Sequence, residues 1–270
     1  VSSCFMPSDM NGFLLFLFVS PVGAFKPHAS CLNAVSAGNA CRFVRKEVIL
    51  PYHKALSCHM TTETHPLQPF LPAAGRMLFL GSFPPPRARW SMDFFYPNWI
   101  NDFWRIQGLI HFGDKTHFEV PGEKRFDRER IVAFAESVGL AFYDTARVVR
   151  RLKGNASDNF LEVVETADIG SLVAAMPLCD TVVTTGGKAS ELLRRQLSAA
   201  AGMAEGELVA MPEVGGRVEV CRGVSSGQNN VGTNGFFAHH DRIVWWRMPS
   251  SSRAYPLALA KKAECYRRLF

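Results

Sequence analysis

The sequence predicts an α/β fold: three layers, with helices on both faces of a central, mostly parallel sheet of four strands. Three observations carry this. The short apolar runs 77–81 (MLFLG), 141–144 (AFYD), 180–187 (DTVVTTGG) and 242–248 (RIVWWRM) have the length and composition of buried strands. Stretches with helical spacing lie between them. Strands that alternate with helices return parallel, because each return needs a crossover.

Residues 1–59 read differently from the rest. The apolar stretch 12–24, GFLLFLFVSPVGA, is short for a bilayer span. No basic segment precedes it, as one would in a secretory signal. Residues 25–59 keep neither the helical nor the strand period. With Val1 in first place, the expectation is a poorly structured or wrongly assigned extension over 1–59, Met60 as the natural start, and one domain over 60–270.

From there the elements follow in order. Residues 65–75, HPLQPFLPAAG, form a proline-rich link. The strand 77–81 stops at Gly81, and a loop follows that sets Phe83, Trp90, Phe94, Phe95, Tyr96 and Trp99 among prolines and arginines. Helix 101–110 has Asn101 as its N-cap and Phe103, Ile106 and Ile110 on one face. Helix 126–140 carries Gly139 near its end. After strand 141–144, residues 160–176 contain a helix, and strand 180–187 leads into helix 188–202. Residues 203–240 are glycine-rich, with room for an antiparallel pair and a long loop. Strand 242–248, the loop PSSSRAYP and a helix to Phe270 complete the chain.

Ligands of such sheets sit beyond the carboxyl ends of the strands. The loop after Gly81, Thr184–Gly187 and Pro249–Arg253 all fall there, so three distant segments are expected to converge on one crevice. Most of the tryptophans and phenylalanines of the aromatic loop are core candidates, since large rings bury. Arg87, Arg89, Arg105 and Arg253 have the alternative of an ordinary solvated face, Ser250–Ser252 that of a helix cap, and Asp144 and Asp158 structural roles in a cap or turn.

The net charge of +6 and pI near 9.0 are compatible with an anionic partner without requiring one. Five of the 30 basic and two of the 24 acidic residues lie in 1–59, so +3 remains beyond it. The seven cysteines show no C-x-x-C spacing, which argues against a zinc site. Free thiols in a reducing cytoplasmic compartment are expected, with no metal, no cofactor and no membrane partner.

With the loops in place, the chain resembles the uracil-DNA glycosylase superfamily over most of 70–270. The residues that carry the resemblance are LGSFPP (80–85), YPNWINDFWRI (96–106), VVTTGGKASELL (182–193) and MPSSSRAYP (248–256). The second of these is similar to the mismatch-specific and hypoxanthine-DNA glycosylase branches. The resemblance implies a monofunctional, monomeric enzyme that flips a deaminated base, uracil or hypoxanthine, out of double-stranded DNA and cleaves the N-glycosidic bond with water. It implies Gly81, Ser82 and Pro84 as the motif-one loop, and Phe83, Tyr96, Thr184 and Thr185 around the base. Pro249, Ser250, Ser251, Ser252 and Arg253 would contact DNA, with Arg253 as the wedge that enters the vacated space.

One position departs from the pattern. Classical members of the superfamily carry Asp or Asn two residues after the first Gly of motif one, where it positions the attacking water; here that residue is Phe83. The hypoxanthine branch lacks a polar residue there too and relies on the Asn of Asn-x-Phe-Trp, which is Asn101 here. An amide is no strong base, but an oxocarbenium-like state needs orientation and charge stabilisation more than basicity. Asp93 and Asp102 are the carboxylate alternatives. Three cysteines beyond residue 60 exclude the iron–sulfur variety, which needs four. Two other classes stay open: an inert nucleic-acid-binding member of the fold, favoured by Phe83, and a serine hydrolase using Ser250–Ser252 with His239 or His240, disfavoured by the lack of a G-x-S-x-G elbow.

Overall fold

The computed structural model describes residues 31–35, 42–46, 62–152, 160–223 and 235–270. The chain divides into two units, Val1–His59 and Met60–Phe270. In the first, β1 (Cys31–Val35) and β2 (Arg42–Lys46) pair antiparallel, Cys31 opposite Lys46. Met60 and Asp158 lie outside the described residues.

The second unit runs β3 (Thr62–Thr64), β4 (Met77–Gly81), α1 (Phe103–Phe112), α2 (Arg128–Val138), β5 (Leu140–Asp144), β6 (Ala146–Arg151) and β7 (Leu161–Thr166). It continues with α3 (Ile169–Ala174), β8 (Thr181–Thr185), α4 (Gly187–Ala200), β9 (Gly216–Cys221), β10 (Arg242–Met248) and α5 (Leu259–Arg267). The central sheet has the order β5-β4-β8-β10-β9. Four strands are parallel, and β9 lies antiparallel on β10. The sheet is therefore five-stranded and mixed, where four strands were expected. The fifth was hidden because GRVEVC exposes every other residue and presents no apolar run.

The inner strands are apolar on both faces. Leu78, Phe79, Leu80, Phe142, Val182, Val183 and Trp245 have no exposed surface, as a sheet covered by helices on both sides requires. Helix α1 packs on α5, and α3 on α4. Right-handed crossovers put these two groups on opposite faces, because β4 to β5 moves one way along the sheet and β5 to β8 to β10 the other.

Two stretches differ from the sequence expectation. Residues 161–166 are a strand, with the helix confined to Ile169–Ala174. In LEVVET the β-branched pair and the cross-strand charges decide: Arg147 pairs with Glu165, and Arg150 with Glu162 at 3.0 Å, along a three-stranded antiparallel sheet β3-β6-β7. The proline-rich link is packed. Phe70 exchanges both backbone hydrogen bonds with Phe142, at 3.0 and 2.9 Å, and so covers the outer edge of β5.

Helix ends follow ordinary chemistry. The Asp127 side chain accepts from Arg130 N–H at 3.0 Å to start α2, and Gly139 at φ 74° ends it. Helix α1 begins at Phe103, two residues later than expected, with Asp102 in the cap position. Asn101 still contributes, since its Oδ1 accepts from Phe103 N–H at 2.9 Å.

Candidate functional site

A cleft of about 590 Å³ opens at the carboxyl ends of the parallel strands. Gly81, Ser82, Phe83, Pro84 and Pro85 line it from the end of β4; Tyr96, Asn98 and Asn101 from the aromatic loop; Thr185 from the end of β8; and Ser250–Arg253 from the loop after β10. The expected convergence of distant segments is thus present, and most of the sequence-predicted residues meet there.

The motif-one loop is held by its neighbours. Thr145 N–H and Oγ1 both donate to Gly81 O, at 2.9 and 3.0 Å, and Ala146 N–H donates to Ser82 O at 3.1 Å. Arg151 Nη2 donates to Pro84 O at 2.7 Å. Phe83 has Arg151 over its ring at 5.4 Å and packs edge-on against His65. It forms wall, as an apolar ring can, and orders no water.

Tyr96 has a left-handed backbone, φ 51°, unusual for a residue with a Cβ. Two contacts hold it there. Its ring stacks on Phe103 at 3.8 Å and 6°, and its hydroxyl shares a 3.0 Å hydrogen bond with Thr185 Oγ1. Burial pushes the phenol well above its usual range, and the nearby Asp144 charge adds to this. Backbone strain maintained by such contacts is characteristic of binding sites.

Asn101 also lines the cleft. Its N–H donates to Asn98 O at 2.8 Å, and its carbonyl accepts from Arg105 Nη1 at 3.0 Å. Arg105 is buried and also donates to Trp99 O at 2.7 Å while pairing with Glu119 at 2.7 Å. It therefore braces the 99–101 turn and is no solvated surface arginine. With Oδ1 committed to Phe103, the Asn101 amide has its NH2 group left to offer.

The loop after β10 is tied from behind. Lys262, fully buried on α5, donates to Asp102 Oδ2 at 2.9 Å and to Ser252 O at 2.8 Å. Asp102 Oδ1 accepts from Arg253 Nε at 3.1 Å, and Asp102 N–H donates to Ser251 O at 2.9 Å. One carboxylate thus joins the start of α1, the serine loop and the last helix. Arg253 itself remains exposed.

Several expected placements change. Thr184 is fully buried and points away from the cleft, bonding Ser190 Oγ at 2.8 Å and Trp245 Nε1 at 3.0 Å. Neighbours on a strand face opposite sides, so only Thr185 reaches the cleft. Pro249 is buried behind the loop, its carbonyl accepting from Tyr266 Oη at 2.8 Å. Asp93 pairs with Arg87 outside the cleft, and Asp102 is consumed by its two cations. His239 and His240 contact Ala174 O and Pro177 O, at 2.8 and 3.0 Å, before the start of β10. The serines follow its end, so the seven residues of β10 put roughly 20 Å between the two groups and exclude a Ser–His pair.

Two residues were missed. Asp144, taken from sequence as structural, is the one carboxylate among the described residues that lines the cleft. His65, from the proline-rich link, is buried and bonds Asp144 Oδ2 through Nε2 at 2.9 Å. The position of Asp144 at the carboxyl end of a strand was a usable signal. Nothing in the sequence connects it to His65, 79 positions away. No group of His, Cys, Asp and Glu among the described residues is arranged to hold a metal, and no described helix is long and apolar enough to cross a membrane.

No family model matches the chain, and no curated protein does. Among solved structures it is similar to the solution NMR structure described as "a putative Uracil DNA glycosylase from Methanosarcina acetivorans", at 17% identity and TM-score 0.46, covering 77% of this chain and 99% of that one.

Proposed function

We propose that the cleft receives a nucleotide turned out of double-stranded DNA, and that the protein is a monofunctional DNA glycosylase excising a deaminated base, uracil or hypoxanthine. The observation that carries this reading is the meeting of the segments 81–85, 96–101 and 250–253 around one cleft of nucleotide-sized volume. Tyr96 lies along the path of the base. Ser250–Ser252 offer hydroxyls and N–H groups to a phosphate, and Arg253 stands exposed beside them.

Asn101 then acts through its NH2 group, which fixes a water facing the anomeric carbon. Departure of the base leaves an oxocarbenium-like sugar that water captures, and the proton released passes to solvent or to the departing base. The partner is a duplex with a damaged or mismatched base, and one chain acting in the cytoplasm suffices. Phe83 supports a second reading, an inert DNA-binding member of the same fold, since no polar side chain occupies that point of the wall.

The test uses end-labelled duplexes carrying uracil, hypoxanthine or a G·T mismatch, followed by alkaline cleavage of abasic sites. Cleavage of the uracil or hypoxanthine duplex is expected. Tight binding of all three duplexes with no cleavage of any would favour the inert reading.

A further inference from the structure

We infer that Ile100 is an apolar wedge that enters the base stack next to the flipped nucleotide, separate from Arg253; this rests on the proposed function above. Three features of the molecule carry it.

The first is where Ile100 stands. It is 52% exposed, the most of any large hydrophobic residue among the described ones, and of those that are exposed it alone lines the cleft. Asp102 follows two positions later, so the two Cα atoms lie within about 7 Å of each other. Asp102 N–H donates to Ser251 O at 2.9 Å, and its carboxylate meets Arg253 at 3.1 Å. The apolar side chain and the exposed cation therefore share one part of the rim.

The second is how firmly its backbone is held. Ile100 N–H donates to Asn98 Oδ1 at 3.1 Å. The carbonyl before it, Trp99 O, accepts from Arg105 Nη1 at 2.7 Å, and the N–H after it, that of Asn101, donates to Asn98 O at 2.8 Å. Both peptide planes that flank Ile100 are thus fixed. Beneath the turn, the Arg105 guanidinium lies over the Trp99 ring at 4.5 Å, and Trp99 packs on Phe126 at 5.0 Å. A β-branched side chain adds a stiff χ1. The turn holds an apolar group toward solvent with little freedom left to lose on binding.

The third is chemical. An aliphatic side chain neither donates nor accepts a hydrogen bond, so it gains nothing from phosphates or from the polar atoms of base edges. The largest apolar surface of a duplex is the faces of its bases, and these are reached only where a step of the stack is opened. Aliphatic side chains, isoleucine among them, open such steps when they are pressed into DNA. Turning out one nucleotide loosens the steps on both sides of it, at the mouth of the cleft where Ile100 stands.

The experiment uses the full chain and duplexes whose target nucleotide, 2′-fluoro-2′-deoxyuridine or its hypoxanthine counterpart, resists cleavage. A 2-aminopurine stands either 5′ or 3′ of that target and brightens when it is unstacked. Wild-type binding is expected to brighten one of the two placements. Ile100→Ala should lose most of that rise, while Ile100→Leu keeps it. Ile100→Ala should also weaken duplex binding about tenfold, the scale for three aliphatic carbons half exposed beforehand. Its affinity for the single strand of the same sequence should stay unchanged, because no stacked pair has to be opened there. Ile100→Thr keeps the branch but makes the tip polar; it is expected to behave like the Ala variant and stands in if that one does not fold. A residue that merely shaped the turn would weaken both forms of DNA alike. Equal losses on single strand and duplex, or an undiminished rise in Ile100→Ala, overturn the inference. Excision from cleavable damaged duplexes is scored in parallel. Excision with no rise that depends on Ile100 defeats the inference alone, whereas such a rise without excision upholds the wedge and defeats the glycosylase reading. Failure to bind any duplex defeats both.

Discussion

Asn101 does two jobs at once, and its two ends separate them. Oδ1 caps α1 through Phe103 N–H, which leaves the NH2 group of this cleft-lining residue for the proposed water. Asn101→Asp keeps the cap and removes the donors. It is expected to unfold at nearly the wild-type temperature and to excise roughly two to three orders of magnitude more slowly, the scale for one positioned polar group at a reacting centre. Asn101→Ala should lose the same rate and also about 1 kcal/mol of stability. Single-turnover excision and denaturant melts check both, and full activity in Asn101→Asp would move the role elsewhere in the cleft. Arg253→Ala should weaken binding to damaged duplex and lower the slope of log affinity against log salt by about one. Stability should change little, because Asp102 retains Lys262. A stability collapse with normal DNA affinity would make Arg253 structural instead.

Strands β4 and β8 were legible because MLFLG and TVVTT are continuous apolar or β-branched runs ended by glycine. Strand β7 was not, since LEVVET carries two charges in six residues and becomes a strand only through β6, whose arginines its glutamates need. The cleft was legible in the same uneven way. Residues next to strand ends were found by position. His65 was not, because a lone histidine in a proline-rich stretch carries no period, and its partner is set by the fold. Thr184 failed for a simpler reason: a side chain's face is fixed by strand parity, which the loop-centred reading ignored. At this scale Lys262 is the sharpest test. Lys262→Met removes the buried partner of a buried carboxylate and should cost about 3–5 kcal/mol in a denaturant melt. A loss below 1 kcal/mol would show that Asp102 is hydrated without it.

Across the whole molecule, several acids are held protonated by burial. Cys179 is pushed up to about 12, and the Tyr266 phenol is raised well above its usual range, in both cases chiefly by burial. In the unfolded chain such groups ionise near 8.5 and 10. A raised acid contributes stability that is complete below the unfolded value and is lost as pH climbs toward the folded one. Melting temperature should therefore fall steadily from about pH 8.5 upward. A flat profile to pH 11 would contradict that burial. A chain beginning at Met60 is proposed to unfold cooperatively, because the described contacts of β3, His65 and Phe70 lie after it. Loss of the cooperative transition on that shortening would show that residues 1–59 complete the domain.

The shared carboxylate of Asp102 has a consequence for what happens when an anion arrives. Arg253 and Lys262 both rest on it, one at the surface and one in the interior. If a phosphate draws the guanidinium outward, Asp102 is not stranded as a bare charge, since the ammonium behind it stays. On the proposed function, the arginine could then change hands while Lys262 still holds the carboxylate, an internal counter-ion exchanged for an external one.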